Sequence, residues 1–63
     1  REVLEAVLSL PPHYKDVVYL HYYEGYTAPE IGHILGKNVN TIYTLLGRAR
    51  RLLKETLGGE ASE

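Results

Sequence analysis

Between Asn38 and Lys54 the chain reads NVNTIYTLLGRARRLLK. Its polar members are of the types that hold a phosphodiester backbone or touch base edges. Arg50, Arg51 and Lys54 can neutralise phosphates, and Asn40 and Thr44 can exchange hydrogen bonds with phosphate oxygens or bases. Wound as a helix, the stretch puts Asn40, Tyr43, Thr44, Gly47, Arg50, Arg51 and Lys54 on one side. The other side carries Ile42, Leu46, Ala49 and Leu53, recurring at intervals of four, three and four, the spacing of a buried stripe. No acid lies between Glu30 and Glu55, whereas five of the seven Lys/Arg residues do: Lys37, Arg48, Arg50, Arg51 and Lys54. This pattern predicts a helix that enters the major groove of DNA. A solvated basic face has the same composition, so charge alone does not decide between the two.

Other pairings fall short of a site. His21-x-x-Glu24 and Glu30-x-x-His33 have metal-ligand spacing, but a carboxylate metal bundle needs such pairs on long facing helices. There is no HExxH, no glycine-rich phosphate loop and no cysteine. Ser9 and Ser62 lack a base and an orienting acid. No enzyme activity, metal or cofactor is expected, and His13 and His33 are expected at the surface.

The elements that would position the basic helix can be read in order. Residues 1–9 place Val3, Leu4, Val7 and Leu8 on one side, predicting a first amphipathic helix that Leu10-Pro11-Pro12 ends. Pro12 opens a second, running to Glu24, with Tyr14, Val17, Val18, Leu20 and one or both of Tyr22 and Tyr23 inward; Gly25 stops it. The tyrosines at 19, 22, 23 and 26 are expected to be core or half-buried, with a base-stacking platform the lesser alternative. Thr27-Ala28-Pro29-Glu30 is a capping box for a third helix, Ala28 to Leu35, with Ile31, Ile34 and Leu35 inward. Gly32 inside it suggests close approach of another helix. Gly36 ends that helix, Lys37 makes the turn and Asn38 caps the fourth. Helix, short glycine-containing turn, helix is the helix-turn-helix pattern. Residues 58–63 are expected to be a disordered tail.

Sixty-three residues make one small domain, all α, with 44% hydrophobic and 24% charged residues and a net charge of −1. The distribution of charge matters more than its sum. Residues 1–30 hold five acids against Arg1 and Lys15, and residues 31–54 hold five bases and no acid. No run approaches the roughly 18 apolar residues of a membrane helix, so no membrane partner is expected. The start inside a helix, without an initiator Met, reads as a fragment of a longer protein.

Leu10-Pro11, Tyr14, Val17, Leu20, Tyr22-Tyr23-Glu24-Gly25, Thr27, Glu30-Ile31, Ile34-Leu35-Gly36, Thr41, Leu46 and Arg48-Ala49-Arg50 occur in the order and spacing of a known domain. Over about residues 8–57 the chain resembles region 4 of bacterial sigma-70 family factors, nearest to the extracytoplasmic-function (ECF) group. The resemblance implies a four-helix helix-turn-helix domain without a wing, spanning residues 1–57. It implies recognition of the promoter −35 element in double-stranded DNA and docking on the β-subunit flap of RNA polymerase. An anti-sigma factor would be a possible second partner. A monomer in the bacterial cytoplasm, at the nucleoid, is the corresponding expectation. Carried over by position, Asn38, Asn40 and Thr41 would approach phosphates and base edges at the helix start. Thr44 would face the groove, Arg50 would contact backbone or base, and His21 on the second helix would touch the backbone. Tyr43 stands where the family has lysine or arginine, Leu45 where it is often basic, and Gly47 where His, Arg or an aromatic is usual. Those losses predict a flatter salt dependence, by about 0.9 in slope per phosphate contact; Arg51 and Lys54 would compensate in part.

Arg48 projects beside the core stripe and is expected to pair with Glu30 across the helix-turn-helix. Leu45 and Leu52 on the same flank either widen the core or offer a protein-docking surface. Two other functions stay open: a protein-interaction module that binds DNA weakly by itself, and the DNA-binding domain of another transcriptional regulator.

Overall fold

The computed structural model describes residues 3–58. Four α-helices follow one another: α1 (Val3–Leu8), α2 (Pro12–Val18), α3 (Ala28–Leu35) and α4 (Val39–Leu57). Helix α2 continues without a break into a π-helical segment, Tyr19–Tyr23. No strand occurs among the described residues. Helix α4 is the spine. Its 19 residues span about 28 Å at 1.5 Å per residue, and α1, α2 and α3 all pack against it.

The local signals explain the boundaries. Pro12 occupies the first turn of α2, where a missing N–H costs nothing. Gly25 and Gly36 adopt left-handed backbone with φ of 84° and 68°, ending the second and third helices. The capping box of α3 is complete: Thr27 Oγ1 accepts from the Glu30 N–H (3.3 Å), and Glu30 Oε1 accepts from the Thr27 N–H (2.8 Å). Asn38 caps α4, its Oδ1 accepting from the Asn40 N–H at 2.7 Å. At Gly32 the chain does come close, first to the turn and next to α4, whose Val39 N and Ile42 Cγ1 would each lie 3.7 Å from an added Cβ. An added Cβ would lie 2.7 Å from the Lys37 carbonyl oxygen.

The core gathers Val7, Leu10, Val17, Val18, Ala28, Ile31, Ile42, Leu45, Leu46 and Ala49. The expected stripe of α4 is there, with Leu53 partly buried, and Leu45 and Leu52 widen it: Leu45 is 8% exposed and Leu52 packs against the cluster. That settles Leu45 as core.

Several expectations fail at the margins. In α1 only Ala6 and Val7 are buried, while Val3, Leu4 and Leu8 are exposed. Tyr22 and Tyr23 do not join the core, and Tyr19 and Tyr26 are exposed too. Ile34 is exposed as well, leaving Ile31 as the anchor of α3. Val3, Leu4, Leu8 and Ile34 share a cause: a domain this small lacks elements to cover these faces. The second helix is not one α-helix to Glu24. Its last turn is closed by the Glu24 N–H on the Tyr19 carbonyl (3.1 Å), an i→i+5 bond. Glu30 spends its carboxylate on the α3 cap and Arg48 is exposed, so the expected Glu30–Arg48 pair does not form among the described residues. Helix α4 runs on to Leu57, with Gly58 as its C-cap. The rest of the expected disordered tail, and residues 1 and 2, lie outside the described residues.

Candidate nucleic-acid interface

Every candidate on α4 falls away from the core. Asn38, Asn40, Thr41, Tyr43, Thr44, Arg50, Arg51 and Lys54 are exposed, and Gly47 is half-buried. Tyr43, at 58%, is the most exposed large hydrophobic side chain. From Asn40 to Lys54 the face extends about 21 Å along the helix axis. It is uneven. The N-terminal third offers amide and hydroxyl groups, the C-terminal third offers Arg50, Arg51 and Lys54, and the middle holds a phenol and a bare backbone at Gly47. Nothing lies within 4 Å of where a Gly47 Cβ would stand, so the gap is one of chemistry and not of crowding.

The helix start is presented as a unit. Asn38 Oδ1 accepts from the Asn40 N–H, and its NH₂ group is left to donate outward. The N–H groups of the first turn point out of the helix end, where an anion is favoured. The turn that aims this end is fixed by Gly36 in its left-handed conformation and by the Lys37 N–H bonding the Gly32 carbonyl at 2.8 Å.

His21 stands on the π-helical segment and is half-buried. Its Nδ1 lies 2.8 Å from the Tyr26 carbonyl oxygen. A carbonyl only accepts, so Nδ1 carries the proton, and in the neutral ring Nε2 is left as an acceptor. His21 can therefore donate to a phosphate through Nε2 only when the ring is protonated. The structure also joins His21 to α4 through a residue that spacing did not single out. The His21 and Tyr22 rings meet edge to face, with centroids 4.7 Å apart, and Tyr22 Oη accepts from Arg50 Nη1 at 3.3 Å. Only the tyrosine cluster hinted at this, because the bond spans 28 residues.

Beside the basic end of α4 runs an open groove. Val3, Val7, Val18, Leu53 and Leu57 supply apolar lining, and Tyr22, Tyr23, Gly47, Arg50, Arg51, Lys54 and Gly58 form the rest of it. The cations of the candidate interface are thus also the rim of an apolar groove, which no local pattern encodes. Among the described residues no three His, Cys, Asp or Glu side chains converge on a metal position. No helix there is long and apolar enough to cross a membrane.

Comparison with known proteins agrees with this geometry. Residues 1–53 match the family described as Sigma-70, region 4. The RNA polymerase sigma factor SigV of Bacillus subtilis (strain 168) is 39% identical over 56 residues, covering 89% of this chain and 34% of the relative. The chain thus spans about a third of that relative's length. No solved structure gives a significant match.

Proposed function

Since the chain belongs to the sigma-70 region 4 family, we propose that it reads the −35 element of bacterial promoters by laying α4 in the major groove during transcription initiation. The observation that carries this is the face from Asn38 to Lys54, exposed except at the half-buried Gly47, set on a core-anchored helix and aimed by a capped, glycine-fixed turn. Asn40, Thr41 and Thr44 sit where side chains reach base edges. The helix start, Arg50, Arg51 and Lys54 would bind phosphates and fix the register. His21 approaches the backbone from the second helix. Such a domain acts as a monomer in the cytoplasm, at the nucleoid, alongside RNA polymerase core. The apolar groove rimmed by Arg50, Arg51 and Lys54 is where we place the polymerase flap, and an anti-sigma factor would compete for the same surface.

A second reading has its own support. The middle of the face has no cation, and the basic end doubles as a groove rim. Both suit a docking module with weak binding to DNA. Fluorescence anisotropy on −35-like and scrambled duplexes across a salt series separates the two. The promoter reading expects measurable binding at low salt. Asn40→Ala should lower the preference for the −35-like duplex, and Arg50→Ala should reduce the salt slope by about 0.9. Binding too weak to detect at low salt, or indifferent to both substitutions, leaves the docking module as the function.

A further inference from the structure

We propose that Tyr22 is a positioning residue for Arg50, holding its guanidinium over the DNA backbone as part of a His21–Tyr22–Arg50 row that bridges the second helix and α4. The proposal rests on the promoter reading and adds to it a residue that the contact face of α4 does not include.

Three observations carry it. Tyr22 is more than half exposed, so core packing does not account for its place. Its hydroxyl nevertheless accepts from Arg50 Nη1 at 3.3 Å, the side-chain bond that ties the second helix to α4. Its ring also meets the His21 ring edge to face, and His21 is in turn tied to the Tyr26 carbonyl. The row therefore hangs from a backbone anchor at the Gly25 turn. It sits on the one π-helical segment among the described residues, the closing turn of the second helix.

Chemistry fits the geometry. A guanidinium has five N–H donors. One is engaged by Tyr22, which leaves four, enough for a forked contact to phosphate. A neutral phenol takes none of the positive charge away, as a carboxylate in the same place would. A long side chain already held in one place loses less rotamer freedom on binding. Tyr22 would thus act on affinity through Arg50, without itself neutralising a phosphate.

The test uses the 63-residue chain with Tyr22→Phe, Arg50→Ala and the double variant, titrated with the −35-like duplex across salt. NMR relaxation of the Arg50 Nε–H in the free protein accompanies it. Tyr22→Phe should raise Kd about threefold to tenfold, the cost of freezing one long side chain, and leave the salt slope unchanged. It should also increase the mobility of the Arg50 Nε–H. In the Arg50→Ala background it should have no effect, as expected for two residues that act as a unit. If Arg50→Ala weakens binding but Tyr22→Phe does not, or if the phenylalanine costs as much without Arg50, the proposal is overturned and the promoter reading stands. Equal Arg50 mobility in wild type and Tyr22→Phe overturns it as well. If the wild type binds no duplex, the promoter reading falls and takes this proposal with it.

Discussion

Two glycines in this chain have opposite reasons to be glycine. Gly32 is buried against the turn, and a Cβ there would stand 2.7 Å from the Lys37 carbonyl oxygen, a backbone atom that cannot swing aside. Gly47 faces open space in the middle of α4. Glycine costs a helix interior about 1 kcal/mol against alanine. Gly47→Ala should therefore stabilise the domain by about that amount, raising Tm by about 4–8 °C. Gly32→Ala should destabilise it by about 1–3 kcal/mol, as overpacking does. Thermal melts followed by circular dichroism check both. A drop in Tm for Gly47→Ala would mean that the position is not open. Tyr43 gives the second test at this scale. Its phenol is exposed on the face assigned to DNA, so Tyr43→Lys should tighten binding to −35-like and scrambled duplexes alike and steepen the salt slope by about 0.9. Unchanged or weaker binding would take Tyr43 off the DNA side.

At the scale of elements, sequence was most informative where a residue acts on its own or nearby backbone. The left-handed glycines, the Thr27–Glu30 box and the Asn38 cap involve partners within four residues, and each is found where spacing puts it. The stripe of α4 was legible for a related reason, since one long helix carries its own period. The second helix was not. Its first turns obey the α period through Val17 and Val18. The turn then widens, and Tyr22, four residues after Val18, drops out of the face that an α-helix would give it. The Arg50–Tyr22 bond was out of reach because it depends on how two helices cross, which no local pattern encodes. The cap of α3 can be put to a number. Thr27→Ala removes the acceptor of the Glu30 N–H and should cost about 1 kcal/mol. Because α3 braces the turn that aims α4, faster amide exchange should appear first at Glu30 and Ile31. Protection there equal to wild type would show that the backbone bonds hold the helix start without the threonine hydroxyl.

The whole molecule is organised by the two faces of α4, one buried and one exposed, which makes stability and binding separable by experiment. Ile42 is fully buried, in the cluster that joins α4 to Val17 and Val18 of α2 and Ile31 of α3. Arg50 lies two turns further on and is exposed. Truncating a buried isoleucine costs about 2–5 kcal/mol, while a core of this size supplies about 3–5 kcal/mol in all. Ile42→Ala should therefore leave much of the chain unfolded at 37 °C, and any loss of DNA binding should follow the folded fraction. Arg50→Ala should keep the folded fraction and lose binding. Plotting apparent affinity against fraction folded puts the two variants on different lines. If Ile42→Ala melted cooperatively within a few degrees of wild type, the centre of the core would have to lie elsewhere. If Arg50→Ala lost helix content in proportion to binding, the bond to Tyr22 would be one that the fold itself depends on.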